Sequence, residues 1–203
     1  IGVRLVGSEM CIRDSSCAWG LIVGAEPYPI EAMKLCRKAK VISRNGSGLD
    51  NIDIETATAM GCAVCYAPAM NHHAVADFTL GFILNLARGM YAFRRDMAKG
   101  KWNIKIVRGV SGATLGVVGL GRIGKQVALR ARAFGMKVIA YDIKPDEVFG
   151  HENGVRFVQL DELLTTSDII TLHTPLNDES RSLIDASALS RMKDCLLYTS
   201  DAA

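Results

Sequence analysis

From Leu21 onward, short apolar runs and helical periods take turns along the chain. Leu21-Ile22-Val23 reads as a strand, residues 30–38 as a helix, Val41-Ile42-Ser43 as a strand, 54–60 as a helix and Ala63-Val64-Cys65 as a strand. After the Ala67-Pro68 turn, apolar positions recur at helical spacing over 75–99, and Gly100 stands where a helix C-cap belongs. The pattern then restarts, with a strand over 114–118, a helix over 123–134, a strand over 137–141, a short helix over 160–165 and a strand over 168–172. Parallel strands need a crossover of helix length between them, so this alternation predicts an α/β fold built on parallel sheets. Two units are expected, one over 18–100 with the long helix as its bridge and one over 101–194.

The ends break the pattern. Residues 1–17 follow neither period, and residues 195–203 stop inside what reads as a further strand. Gly7-Ser-Glu-Met-Cys-Ile-Arg-Asp-Ser15 and Cys195-Leu-Leu-Tyr-Thr-Ser-Asp-Ala-Ala203 resemble translated sequencing-adapter segments. Both tails are therefore expected to be foreign to the natural chain, which is expected to extend in both directions.

Charge and composition narrow the partners. The net charge of +3 is scattered rather than gathered into a stripe, so no nucleic-acid partner is implied. The most apolar run, 78–87, is interrupted by Asn85, ends at Arg88 and falls well short of the roughly 20 residues that span a bilayer, which predicts a buried helix and no membrane partner. No secretory pattern opens the chain, and the six cysteines are spread through apolar segments, so a reduced, cytoplasmic protein is expected. Cys62 and Cys65 form a lone C-x-x-C inside Gly61-Cys-Ala-Val-Cys-Tyr66, which reads as a buried strand rather than a metal or redox site.

The candidate chemistry begins at Thr114-Leu-Gly-Val-Val-Gly119-Leu-Gly121-Arg122-Ile123-Gly124, where an apolar strand runs into a glycine-rich turn that opens a helix. In that context Gly119 serves the tight turn, Gly121 lets backbone approach a pyrophosphate, and Gly124 permits close helix-to-strand packing. The N–H groups of Arg122 and Ile123 and the positive end of the helix dipole would hold the diphosphate. A second strand ends in Tyr141-Asp142, at about the 20-residue offset where a carboxylate meets the ribose hydroxyls of a dinucleotide. The acid repels a 2′-phosphate and so favours NAD over NADP; nearby Lys144 opposes it. The strand over 168–172 delivers His173, Thr174 and Pro175 to the edge where ligands bind in open α/β sheets. His173 is read as a packing or hydrogen-bonding residue and not as a catalytic base, since nothing in the sequence pairs it with an acid.

In the first unit, strand 41–43 feeds Arg44 and a Gly46-Ser47-Gly48 turn whose backbone amides are suited to a carboxylate, followed by Asp50 or Asn51 as a helix cap. Arg44 reads either as added positive charge or as a solvated side chain. Asn71 is a further candidate for the same site, while His72 and His73 read as loop or cap residues.

Taken together, Arg44-Asn-Gly-Ser-Gly-Leu-Asp-Asn-Ile-Asp53, Ala67-Pro-Ala-Met-Asn71-His-His-Ala-Val-Ala-Asp77, Leu120-Gly-Arg-Ile-Gly-Lys125, Tyr141-Asp142 and His173-Thr-Pro-Leu176 closely resemble the D-isomer-specific 2-hydroxyacid dehydrogenases, and within them the phosphoglycerate dehydrogenase-like branch. The resemblance covers residues 18–194 and implies a partial flavodoxin-like substrate domain and a partial Rossmann-type, doubly wound nucleotide-binding domain. It also implies NAD as cofactor, a small 2-hydroxy or 2-oxo acid as substrate with its carboxylate on the 46–48 turn, and a homodimer through residues 75–99. Phosphoglycerate, hydroxypyruvate and glyoxylate are the substrates it suggests. The chain departs from some phosphoglycerate enzymes at Gly24-Ala-Glu-Pro27, where those carry an arginine-bearing segment. The family's catalytic arginine, glutamate and histidine are implied to follow a stretch like Met192-Lys193-Asp194, the arginine at Ala203 and the others beyond it, so no catalytic residue is assigned here. A non-catalytic NAD-sensing module on the corepressor pattern and an inert NAD-binding fragment are the contrasting expectations.

Overall fold

In the computed structural model the strands come where apolar runs are framed by turn residues, and they gather into two separate parallel sheets. The structure describes residues 3–6, 17–68, 70–103, 106–175, 177, 180–193 and 196–199. Contacts divide the chain into a unit over residues 1–71 and another over 72–203. The boundary is thus 71/72 rather than 100/101, because the long helical stretch packs within the second unit.

The first unit carries β1 (Val3–Val6), β2 (Gly20–Val23), β3 (Val41–Arg44) and β4 (Ala63–Tyr66), hydrogen-bonded in that order and all parallel. Its helices are α1 (Ile30–Leu35) and α2 (Ile54–Ala59). Leu21, Val23, Met33, Ile42 and Ala57 form the centre of its core. The strand at Val3–Val6 stands in a segment where the sequence showed no period. β4 is mostly exposed, which corrects the buried-strand expectation: Cys62 is buried just before it, Cys65 is exposed, and both are free thiols. No metal-binding group of His, Cys, Asp or Glu occurs among the described residues. The described strands run in chain order, so the reversal that marks a flavodoxin-like sheet is not among them.

In the second unit, α3 (His72–Arg88) and α4 (Met90–Ala98) replace the single helix expected over 75–99. Gly89 separates them in the left-handed region at φ 60°, a conformation that costs glycine little, and Gly100 closes α4 at φ 67°. The sheet is β5 (Thr114–Val118), β6 (Lys137–Tyr141), β7 (Val155–Phe157), β8 (Ile169–Leu172) and β9 (Leu196–Thr199), in the parallel order β7-β6-β5-β8-β9. That is the 3-2-1-4-5 portion of a Rossmann sheet, with its switch of direction between β5 and β8. Helices α5 (Arg122–Ala133), α6 (Glu147–Asn153), α7 (Leu160–Thr166) and α8 (Ala186–Arg191) complete it. From Leu115 to Val118 β5 is apolar and buried because both its faces are covered. Leu115, Val117 and Val127 join Leu80 and Ile83 of α3 in one core, and Val118, Leu163, Leu164 and Ile170 form another.

α3 is not the wholly buried helix expected over 78–87. It buries only the stripe Ala76, Thr79, Leu80 and Ile83, while Phe78, Phe82 and Leu86, with Met90 and Tyr91 of α4, are exposed. The Phe78 and Phe82 rings meet edge to face at 4.5 Å on that outer side. No helix among the described residues is long and apolar enough to cross a membrane.

Candidate functional site

At the C-terminal edge of β5 the chain turns through Gly119 at φ +89°, and the turn is pinned on both sides. The Gly119 N–H donates to the Tyr141 carbonyl at 2.8 Å, and the His173 N–H donates to the Val118 carbonyl at 2.8 Å. These bonds draw the ends of β5, β6 and β8 together at the switch point. A Cβ on Gly119 would stand 2.7 Å from the His173 carbonyl oxygen, and one on Gly124 would stand 2.2 Å from the Gly119 carbonyl oxygen. Gly121, by contrast, faces open space: a Cβ there would meet nothing within 4 Å. It is the extended N-cap of α5, so the amides of Arg122, Ile123 and Gly124 form a first turn that has no acceptor inside the helix.

Over this turn lies a cavity of about 190 Å³. Of the residues singled out from sequence, it gathers Gly119, Gly121, Asp142, His173, Thr174 and Pro175; Arg122, Ile123 and Gly124, which begin α5, do not line it. Tyr141, Ile143, Asn177, Ser180 and Leu183 complete the lining and were not foreseen. Ser180 holds its loop closed by donating from Oγ to the Pro175 carbonyl at 2.5 Å.

Asp142 is fixed in place. Its Oδ2 accepts from the Leu120 N–H at 2.7 Å and its Oδ1 from the Lys144 N–H at 2.9 Å. A carboxylate offers about four lone-pair sites, so both oxygens keep capacity for ribose hydroxyls. The acid that would read the ribose thus also ties the glycine turn to the strand end. The open volume at Gly121, the acceptor-less first turn of α5 and this carboxylate fit a dinucleotide: pyrophosphate at the helix start, adenosine ribose on Asp142.

His173 is half-buried, and its Nε2 lies 2.9 Å from the hydroxyl of buried Thr171. Burial pushes the imidazole down from 6.5 to about 4, so it is neutral at pH 7 and suited to packing rather than to taking up protons. The sign follows: between those values the unfolded chain binds the proton and the folded chain does not, so stability falls as pH drops from 6.5 towards 4. We expect His173 to contribute up to about 3 kcal/mol to this acid sensitivity. His173→Asn should flatten the slope of stability against pH in urea unfolding series; an unchanged slope would place the titration elsewhere.

In the first unit, Arg44 is not a solvated strand-end side chain. Its Nε donates to Asn51 Oδ1 at 3.2 Å, its Nη1 donates to the Asn45 carbonyl, and the guanidinium lies over Gly46. Ser47 Oγ donates to Asn71 Oδ1 at 3.5 Å, which brings together two of the predicted residues. The Gly46 amide is already engaged by the Arg44 carbonyl at 2.9 Å, which leaves the cradle role expected of the turn to Ser47 and Gly48. His72 and His73 open α3 with their rings 4.2 Å apart.

The cap of α2 is Asp53, which accepts from the Thr56 N–H at 2.6 Å, rather than Asp50 or Asn51. Asn51 has a different part that the sequence reading missed. Its Nδ2 donates to the carbonyls of Gly24, at 2.9 Å, and Glu26, at 2.8 Å, while its Oδ1 holds Arg44. One amide thus ties the loop after β2 to the loop after β3. Asn51→Ala should lower stability by about 1–3 kcal/mol, because two carbonyls and a guanidinium lose a partner at once. Asn51→Asp keeps only the acceptor and should lose nearly as much; urea midpoints of the two variants equal to wild type would contradict this.

Comparison with known proteins bears on both units. Residues 80–198 match the family model described as "D-isomer specific 2-hydroxyacid dehydrogenase, NAD binding domain". The chain is 40% identical over 166 residues to the D-3-phosphoglycerate dehydrogenase of Methanocaldococcus jannaschii, covering 80% of this chain and 32% of that one. It is 39% identical over 168 residues to the hydroxypyruvate reductase of Thermotoga maritima, covering 82% and 54%. Among solved structures it resembles the D-lactate dehydrogenase from Aquifex aeolicus complexed with NAD and lactic acid, with a TM-score of 0.80, 32% identity and coverage of 93% and 58%. The chain therefore spans between about a third and just under three-fifths of the length of these relatives.

Proposed function

Because the chain belongs to the D-isomer-specific 2-hydroxyacid dehydrogenases and carries that family's NAD-binding domain over residues 80–198, we propose that the whole protein is an NAD-dependent oxidoreductase acting on a small D-2-hydroxy or 2-oxo acid. The observation that carries this reading is the cavity at the β5 switch point, where Gly121 leaves room at a helix start and Asp142 is held rigid beside it. Bound NAD would supply the hydride-carrying nicotinamide. The chain's own residues bind and orient it: the first turn of α5 takes the pyrophosphate, Asp142 takes the ribose, and His173, Thr174 and Pro175 wall the cavity. In the first unit, the amides of Ser47 and Gly48, with Arg44 and Asn71 beside them, would take the substrate carboxylate.

The names of the relatives place phosphoglycerate, hydroxypyruvate and glyoxylate first among substrates to try. The loop Gly24-Ala25-Glu26-Pro27 carries no arginine for a phosphate, which favours the unphosphorylated acids. The outward row Phe78, Phe82, Leu86, Met90 and Tyr91 supports a homodimer through α3 and α4, since an exposed apolar face of that kind marks an interaction surface. The described cysteines are free thiols, in keeping with work in the cytoplasm.

The test is NADH oxidation by the full-length protein against glyoxylate, hydroxypyruvate and pyruvate, together with NAD reduction on D-3-phosphoglycerate. Turnover with at least one of these is expected, on a species that sediments as a dimer. A full-length protein that binds NAD and turns over none would overturn the enzymatic reading.

A further inference from the structure

The cofactor cavity has a neighbour. Tyr141, Asp142 and Ile143 line it and also wall a second cavity of about 490 Å³, which extends past Pro145 and Glu147 to Phe157, Val158 and Gln159 at the end of β7. Because the two cavities meet at Asp142, a ribose held there would have the second one beside it, open to a group carried on the 2′-hydroxyl.

Its chemistry opposes a phosphate. Asp142 and Glu147 both line it, and neither cavity is lined by a lysine or an arginine among the described residues. Asp142 is clamped by the Leu120 and Lys144 amides, so it does not swing aside without losing two hydrogen bonds. The cations nearby offer little relief. Lys144 contributes its backbone amide to Asp142, and its side chain lines neither cavity. Lys125 is bound to Asp146 at 2.5 Å and sits over the Phe149 ring at 4.9 Å. Glu147 has no such cationic partner among the described residues.

We propose that Glu147 is a second specificity-determining residue, which acts with Asp142 to exclude the 2′-phosphate of NADP from this cavity. The proposal rests on the reading that NAD binds at Asp142. A carboxylate facing a dianionic phosphate across a partly solvated cavity changes affinity by about 3- to 10-fold at low ionic strength, and salt screens the effect.

The experiment is calorimetric titration of the 203-residue chain with NAD and with NADP, on wild type, Glu147→Gln and Glu147→Lys, at 20 mM and at 500 mM salt. Wild type is expected to bind NAD in preference to NADP. Glu147→Gln should raise NADP affinity about 3- to 10-fold at low salt with NAD affinity unchanged, Glu147→Lys should raise it further, and both gains should shrink at high salt. NAD binding that is intact in all three proteins, with NADP affinity unmoved by either substitution, would overturn the role of Glu147. Wild type binding NADP as tightly as NAD would overturn it as well. A wild-type chain that binds neither dinucleotide would instead sink the underlying cofactor reading.

Discussion

Gly119→Ala is expected to destabilise the second unit by about 2–4 kcal/mol and to abolish measurable NAD binding. The backbone at Gly119 has φ +89°, a region where an L side chain costs about 1–2 kcal/mol. The new Cβ would also press on the His173 carbonyl, 2.7 Å from its oxygen and 2.9 Å from its carbon, and backbone has no rotamer with which to retreat. Relief requires the ends of β5 and β8 to part, which strains the bonds from Gly119 to Tyr141 and from His173 to Val118, each contributing about 0.5–1.5 kcal/mol. Gly121→Ala is the informative contrast. Its Cβ meets nothing within 4 Å, so the variant should unfold like wild type while its methyl group stands in the cavity and weakens NAD by about tenfold or more. Urea unfolding and NAD titration of the pair separate the two effects. Equal urea midpoints for Gly119→Ala and wild type would show that the switch point is not pinched as described.

Asp142→Ala should weaken NAD binding by about 100-fold. Two charge-assisted hydrogen bonds to ribose hydroxyls contribute about 1.5–3 kcal/mol each, and loss of both, partly replaced by water, leaves a deficit of about 3 kcal/mol. The same change strips the Leu120 and Lys144 amides of their acceptor and loosens the glycine turn, so the deficit includes lost preorganisation. Asp142→Asn retains an acceptor oxygen without the charge and should fall between wild type and alanine. NAD affinity of Asp142→Ala within threefold of wild type would remove Asp142 from the site.

Much of the site was legible because it hangs on strands buried on both faces. Such strands read as plain apolar runs, so β5, β6 and β8 and the polar residues at their ends were placed to within a residue or two, and the glycine spacing supplied the turn. Shorter elements left weaker marks. α6, β7 and α8, of 7, 3 and 6 residues, went unread, and the available signals were the Asp146 and Asp185 side chains that accept from Phe149 and Ala188. The helical pattern over 75–99 ran through Gly89 because periodicity continues across a left-handed residue even where the helix breaks. That pattern also showed apolar positions without showing which of them the core would take, so Phe78 and Phe82 are exposed where burial was expected. Asn51 was hidden for another reason. Its partners Gly24 and Glu26 lie about 25 residues upstream, and no local spacing announces a side chain that bridges two loops.

The central claim is that NAD is held at the switch point of the second sheet, and amide hydrogen exchange of the 203-residue chain with and without NAD tests it most directly. NAD should slow exchange at Gly121 to Gly124, at Leu120 and Lys144 around Asp142, and at the end of β8 near His173 and Thr174, with little change in β2, β3 and β4. Protection confined to other segments, or none at saturating NAD, would contradict the account.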